Sequence, residues 1–247
     1  MVLYIPFAVR MCGASSGLPP DGNPRNMGFV AVILAFATVV DAAPKLSRAS
    51  PGHLRSPTDT RIINGQDAAP CQFPHQVSLQ NQQLNHFCGG SIIGSEWVVT
   101  AAHCAQIIIE YSQIYIGSVA LAGTNSRTSS GTKHSIIGLY RHPWHNRTGH
   151  EEYDYATLRV NPPFQFTNCV KAISLGTGHP SGMECFASGW GKTSGTPGDP
   201  RPENLKFTRV TPVTDSECKK MFPYIDEALM CTMGSGGNGI CSGYIVG

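Results

Sequence analysis

Three groups of side chains in this sequence are of a kind to do chemistry. His103 closes the run Trp97-Val98-Val99-Thr100-Ala101-Ala102 and is followed at once by Cys104. An imidazole titrates near neutrality, so a histidine within hydrogen-bond reach of a hydroxyl can take its proton and make it a nucleophile. A histidine in an apolar run can also be a packed core residue. Asp154, in Glu152-Tyr153-Asp154-Tyr155-Ala156-Thr157-Leu158, directly precedes a strand-like stretch, whereas Glu151 and Glu152 read as solvated loop acids. His142, His145 and His150 have acids nearby, a composition that could hold a metal. Their spacing falls on a turn-rich loop rather than on one helix face, and no zinc motif is present, so neither a metal nor a cofactor is expected. Nine cysteines at irregular spacing, with no C-x-x-C pair, point to disulfides in an oxidising compartment, and the odd count leaves one over.

Positioning these groups falls to short strands. The 247 residues could form one large all-β domain or two small ones. Charged residues are 14% of the chain, with 27 glycines and 18 prolines, which suits strands and turns better than long helices. Val77 and Leu79 alternate with polar residues, Ile92 to Thr100 is a strand-like run, and Leu205 to Val213 alternates again. Ile114-Tyr115-Ile116 and Ser135-Ile136-Ile137 repeat the strand pattern after Gly-, Ser- and Thr-rich turns, a spacing that fits an antiparallel barrel. Thr214-Asp215-Ser216-Glu217 is a capping box that opens one short helix through about Phe222. Gly195 to Pro202 reads as a loop.

Met27 to Ala43 reads as a signal peptide, with Arg25 upstream, an apolar Gly28–Val40 and small residues at Val40-Asp41-Ala42. It is short for a membrane span. Met1 to Asn26 shows no periodicity, so Met27 is the expected translation start, which would take Cys12 out of the disulfide count. Pro44 to Thr60 has the polar, Pro-containing composition of an unstructured propeptide. A net charge of +2 without a basic run argues against nucleic acid as a partner. Asn146-Arg147-Thr148 is a glycosylation sequon.

Arg61-Ile62-Ile63-Asn64-Gly65, Pro74-His75-Gln76-Val77-Ser78-Leu79, Cys88-Gly89-Gly90-Ser91-Ile92-Ile93, Thr100-Ala101-Ala102-His103-Cys104 and Ser188-Gly189-Trp190-Gly191 follow one another in sequence. In order and spacing they resemble the trypsin/chymotrypsin family of serine proteases, and the resemblance runs from Arg61 to Gly243. The Asn161–Leu175 connection is closest in wording to arthropod digestive chymotrypsin-like enzymes. The resemblance implies an all-β fold, a double antiparallel β-barrel of the chymotrypsin type with the second barrel incomplete at the C-terminus. The parts would be a leader over 1–43, a propeptide over 44–61, a first barrel over 62–167 and a partial second barrel over 168–247.

The same resemblance makes His103 the general base and Asp154 the carboxylate that orients it, although Tyr155 stands where the family usually has an aliphatic residue. Arg61 and Ile62 would flank the activation cleavage made by another protease. Gly243 would give one backbone N–H of the oxyanion hole. Gly239 would lie at the floor of the specificity pocket, where the absence of charge implies an apolar or aromatic preference. Cys88 with Cys104 and Cys218 with Cys231 match family bridges; Cys71 and Cys169 are unusual for the family and are expected to pair with each other. The family partners of Cys185 and Cys241 have no counterpart here.

After Gly243 the family continues with Asp-Ser-Gly-Gly-Pro, whereas this sequence reads Tyr244-Ile245-Val246-Gly247. The nucleophile serine is therefore absent. Ser235, in Gly234-Ser235-Gly236-Gly237, lacks the preceding aspartate and the following proline and stands before Cys241, so it reads as a surface-loop serine; Ser242 matches a pocket-rim position. The missing aspartate would also leave a new Ile62 ammonium without its buried partner, so cutting after Arg61 is expected to switch nothing on. The resulting expectation is a secreted, monomeric protease zymogen by family, directed at protein or peptide substrates, not membrane-bound, and inactive as written. The alternative is a non-catalytic homologue that acts as a protein-binding module.

Overall fold

The structure is a computed structural model that describes residues 2–3, 61–63, 65–128, 131–145, 153–176, 181–192, 201–223, 230–234 and 239–241. The stretches read as a signal peptide and as a propeptide before Arg61, together with Asn146, His150, Glu151, Glu152, Ser235, Ser242 and Gly243, lie outside them. The elements are β1 (Val2–Leu3), β2 (Arg61–Ile63), β3 (Gln66–Asp67), β4 (Gln76–Gln80), β5 (His86–Gly94), β6 (Trp97–Thr100), α1 (Ala102–Glu110), α2 (Ser112–Tyr115), β7 (Val119–Ala122), β8 (Thr132–Arg141), β9 (Ala156–Asn161), β10 (Ser174–Leu175), β11 (Cys185–Gly189), β12 (Lys206–Pro212), α3 (Asp215–Met221), β13 (Thr232–Gly234) and β14 (Gly239–Cys241). Among the described residues no helix is long and apolar enough to cross a membrane.

Strands β4, β5, β6, β9, β8 and β7 close into a barrel in that order, every pairing antiparallel. Its interior is filled by Val77, Leu79, Ile92, Val98, Ala120, Ala122, Leu158 and Val160, all buried. Strand neighbours come so close at Gly90 that a Cβ there would stand 2.6 Å from Val98 Cγ1, so the glycine is required by packing. A second sheet runs β11-β12-β13, with β3 added on β12, and is open among the described residues. Ala68, Phe73, Trp190 and Leu205 form the small core beneath it, and Val213, Cys218 and Cys231 form another. The Trp190 indole N–H donates to the Asn125 carbonyl at 2.8 Å, so this large ring is buried with its polar atom satisfied.

Two strand expectations differ from the structure. Ile92 to Thr100 is two strands rather than one, because the chain reverses between Gly94 and Trp97 and pairs β5 with β6. Ile114 and Tyr115 belong to the helical turn α2, and α1 was not anticipated. The β-branched Ile107-Ile108-Ile109 favours strand, but tertiary packing overrides it: Ala102, Cys104, Ala105 and Ile108 fall on one buried face. Polar Gln76, Ser78 and Gln80 in β4 are buried along with Val77 and Leu79. Each is satisfied by hydrogen bonds: Gln76 Oε1 accepts from Ser188 Oγ at 2.7 Å, Ser78 Oγ meets His86 Nδ1 at 2.8 Å, and Gln80 Nε2 donates to the Arg127 carbonyl at 2.6 Å. Residues 66–67 pair with β12 of the second sheet. Ala68 and Phe73 are the apolar anchors that hold this segment there.

The capping box forms as expected: Thr214 Oγ1 accepts from the Glu217 backbone N–H at 3.2 Å, and the Glu217 carboxylate accepts from the Thr214 backbone N–H at 2.9 Å. The Thr214 hydroxyl also donates to that carboxylate at 2.8 Å, and this bond, with the one from the backbone N–H, holds the Glu217 pKa below the usual range.

Candidate active site

The β6–β9 ladder does most of the work of assembling the site. Its register sets Thr100 opposite Ala156, with Val99 opposite Thr157 and Val98 opposite Leu158. His103 stands three positions after Thr100 and Asp154 two before Ala156, so the pairing places side by side two groups 51 residues apart in sequence. Thr100 Oγ1 donates to the Gly89 carbonyl at 2.7 Å, which ties this end of β6 to β5.

From Thr100 the chain passes through the extended Ala101 into α1, whose first turn carries His103. The first backbone N–H groups of a helix have no partner within it, and alanine offers no oxygen to cap them. Asp154 caps one of them, that of His103, from across the site. Its Oδ1 accepts from the His103 backbone N–H at 2.8 Å, and its Oδ2 accepts from His103 Nδ1 at 2.9 Å. A carboxylate here also complements the positive end of the helix dipole. The Asp154 side chain is wholly buried, whereas that of His103 remains 18% exposed. An ionised carboxylate only accepts, so the proton of a neutral His103 resides on Nδ1 and the lone pair on Nε2. Two contacts to one carboxylate thus fix both the ring orientation and the tautomer needed for Nε2 to take a proton.

His103 Nε2 lies 3.2 Å from Sγ of Cys104, whose bridge to Cys88 fastens the start of α1 to β5.

Sequence reasoning missed two features around Asp154. His145, with a side chain only 5% exposed, places Nδ1 3.7 Å from Asp154 Oδ1, as a second imidazole beside the same carboxylate. Tyr153 takes the left-handed φ of 56°, and the turn there delivers the following aspartate to the site. The Tyr153 ring stacks on His142 at 4.7 Å and meets Trp144 edge-on at 5.2 Å, while Tyr155 lies 4.7 Å from His142. Burial, aided by Tyr153, raises the Tyr155 pKa. His142 and His145 therefore serve different neighbours, one an aromatic stack and the other Asp154. No periodic pattern announces these contacts, which arise from loop geometry.

Of the other expected site residues, Arg61 and Ile62 lie in β2, whose backbone pairs antiparallel with β14: Ile62 is opposite Ile240 and Ile63 opposite Gly239. Gly239 thus faces the backbone of the expected cleavage segment. Three disulfides are present among the described residues, Cys71 to Cys169, Cys88 to Cys104 and Cys218 to Cys231. Cys185 is half-buried and carries a free thiol whose pKa is raised by burial.

Comparison with known proteins places this geometry. The family model described as "Trypsin" matches residues 62–243. Human Trypsin-3 is 32% identical over 204 residues, a match covering 76% of this chain and 63% of that protein. Serine protease SP24D of Anopheles gambiae is 34% identical over 74% of this chain and 65% of its own length, and Serine protease 1 of the dog is 33% identical over 75% and 72%. The chain thus spans less than two thirds of the first two relatives. Among solved structures, mouse neuropsin, a serine protease expressed in the limbic system of the brain, superposes with a TM-score of 0.65 at 27% identity, covering 75% of this chain and 81% of that one. A closed six-stranded barrel, a second antiparallel sheet and a family match across 62–243 lead to one conclusion: the chain belongs to the trypsin family of serine proteases, with the chymotrypsin-like fold.

Proposed function

We propose that this chain represents a secreted serine endopeptidase zymogen that hydrolyses peptide bonds by acyl transfer, with His103 as general base and Asp154 as its orienting carboxylate. The observation that carries the reading is the double contact of Asp154 with His103, at 2.8 Å to the backbone N–H and 2.9 Å to Nδ1. It holds the imidazole in the tautomer that can accept a hydroxyl proton on Nε2 and later return it to the leaving amine, and the buried carboxylate stabilises the imidazolium formed between. A separate protease would cut between Arg61 and Ile62. Gly239 would leave the specificity pocket uncharged and selective for apolar or aromatic side chains, and Gly243 would supply one oxyanion N–H.

The 247 residues contain no Asp-Ser-Gly-Gly-Pro motif, so this chain by itself is expected to hydrolyse nothing. The test compares it with a form extended past Gly243 through that motif and the family's remaining strands, each cut after Arg61 and assayed on peptides with Phe, Tyr, Arg or Lys before the scissile bond. The extended form should cleave after Phe and Tyr, and His103→Ala in it should remove activity by several orders of magnitude. An inactive extended form would overturn the assignment, equal cleavage after Arg would overturn the pocket reading, and turnover by the 247-residue chain would overturn the expected inactivity.

A further inference from the structure

The bond proposed above as the activation cleavage lies inside a β ladder. Arg61 and Ile62 are consecutive residues of β2, and the whole of that strand is paired antiparallel with β14: Arg61 with Cys241, Ile62 with Ile240 and Ile63 with Gly239. We propose that this ladder is a latch that closes the intact Arg61–Ile62 bond to proteases, so that activation requires β2 to come away from β14 first. The inference rests on the assignment of Arg61 and Ile62 as the cleavage site and adds what controls the cut.

A protease takes hold of a chain as an extended segment and hydrogen-bonds its backbone in the manner of an added strand. Each residue has one N–H and one C=O to give. In an antiparallel pair these groups go alternately to the partner strand, and here consecutive pairs on both sides of the scissile bond commit them to β14. Strand β2 also runs close to β11 and β12 of the second sheet, so it is a packed strand rather than a projecting loop.

The chain after the bond is anchored as well. Only Asn64 and Gly65 separate β2 from β3, and β3 pairs with β12 through Gln66 and Asp67. There Asp67 Oδ1 meets Lys206 Nζ at 2.9 Å, and the Ala68 N–H donates to the Leu205 carbonyl at 2.9 Å. Proteolytic nicking concentrates at exposed loop tips, where the backbone is unpaired, and this bond has the opposite setting. The cut itself is ordinary hydrolysis: one water adds across the peptide bond, leaving a carboxylate on Arg61 and an ammonium on Ile62. Only access to it is controlled. When opening and closing are fast relative to cleavage, the rate is that of an unpaired segment multiplied by the open fraction. Two ladder hydrogen bonds of ordinary net worth reduce that fraction about 10- to 100-fold.

The experiment uses the whole 247-residue chain, with trypsin as the probe protease and a synthetic peptide of residues 56–67 as the unpaired reference. The new Ile62 amino terminus is followed by mass spectrometry, so the readout is the cut bond and is independent of whether the extended form hydrolyses peptides. Cleavage at Arg61 should be about 10- to 100-fold slower in the chain than in the peptide. Ile240→Pro, which places a residue without an N–H in the middle of β14, should recover most of that difference. Gly90→Ala, which strains the barrel at Val98, should leave the rate unchanged, because the opening is local. Hydrogen exchange in the parent chain should show at least one amide of residues 61–63 slowed about 10-fold or more, a measurement that decides the matter even where the proline variant unfolds. The latch is overturned if chain and peptide are cut at equal rates, if Ile240→Pro with a native circular dichroism spectrum leaves cleavage unchanged, if Gly90→Ala accelerates it as much as Ile240→Pro does, or if all three amides exchange freely.

Discussion

Asp154 is an acceptor for a helix terminus as well as for an imidazole, so truncating it should cost fold stability apart from any effect on catalysis. In Asp154→Ala the His103 backbone N–H loses its 2.8 Å partner and Nδ1 its 2.9 Å partner, at a position where the aspartate side chain is wholly buried. Losing a helix cap costs about 1 kcal/mol. Leaving a buried donor unpaired costs about 1–3 kcal/mol. The expected sum is about 2–4 kcal/mol, which at a urea m-value of about 2 kcal/mol per molar moves the midpoint down by about 1–2 M. Asp154→Asn keeps an acceptor for the backbone N–H while its amide faces Nδ1, so it should cost only about 1 kcal/mol, the scale of one hydrogen bond. Equilibrium urea unfolding, followed by tryptophan fluorescence and by far-ultraviolet circular dichroism, measures both variants, and coincident transitions license the conversion. An alanine midpoint within about 0.3 M of the parent, a difference on the scale of extrapolation error, would refute the capping argument. An asparagine variant as unstable as the alanine one would show that charge, rather than the acceptor, is what matters.

Burial lowers the pKa of His75 to about 4, and burial together with the nearby Arg201 and Arg127 lowers that of His86 to about 3. Both therefore bind fewer protons folded than unfolded. Their contribution to stability is complete above the ordinary histidine pKa of about 6.5 and falls as pH drops towards 4, by about 1.4 kcal/mol per pH unit for each histidine. Urea midpoints at pH 7, 5.5 and 4.5 should decline accordingly, and His86→Asn should flatten the slope; a midpoint that holds steady down to pH 4.5 contradicts the reading. Gly90→Ala should destabilise by about 1–3 kcal/mol through overpacking, because its Cβ would meet Val98 Cγ1 at 2.6 Å and the Val99 carbonyl at 3.1 Å; calorimetry showing an unchanged melting temperature would disprove it. Cys71→Ser with Cys169→Ser opens a loop of 98 residues. Removing such a bridge typically costs about 2–5 kcal/mol, so the double variant should melt well below the parent, and an equal melting temperature would mean that the bridge contributes nothing.

What the sequence made legible, and what it did not, divides along a physical line. The His103 and Asp154 pairing was legible through the family resemblance, because each residue sits in a short local motif; the β ladder that sets Thr100 opposite Ala156, and so brings the two side chains together, is seen only in the structure. The alternating Leu205–Val213 and the capping box at Thr214 were legible without it, since both depend on neighbours a few residues away. Helix α1 was not, because three consecutive isoleucines speak for strand and the helix owes its start to Asp154, a residue 51 positions distant that no local window contains. The buried polar row of β4 was hidden by a related cause. Alternation tells which residues share a face, and only the second sheet decides that the polar face is covered, with Ser188 Oγ donating to Gln76 Oε1 at 2.7 Å. His145 and the stack around His142 lie further still from sequence, since their contacts depend on the positive φ of Tyr153 and on a loop with no repeating period. Around one carboxylate, then, the partner that sits in a motif shared with a known family could be named in advance, and the partner carried by a loop had to be found.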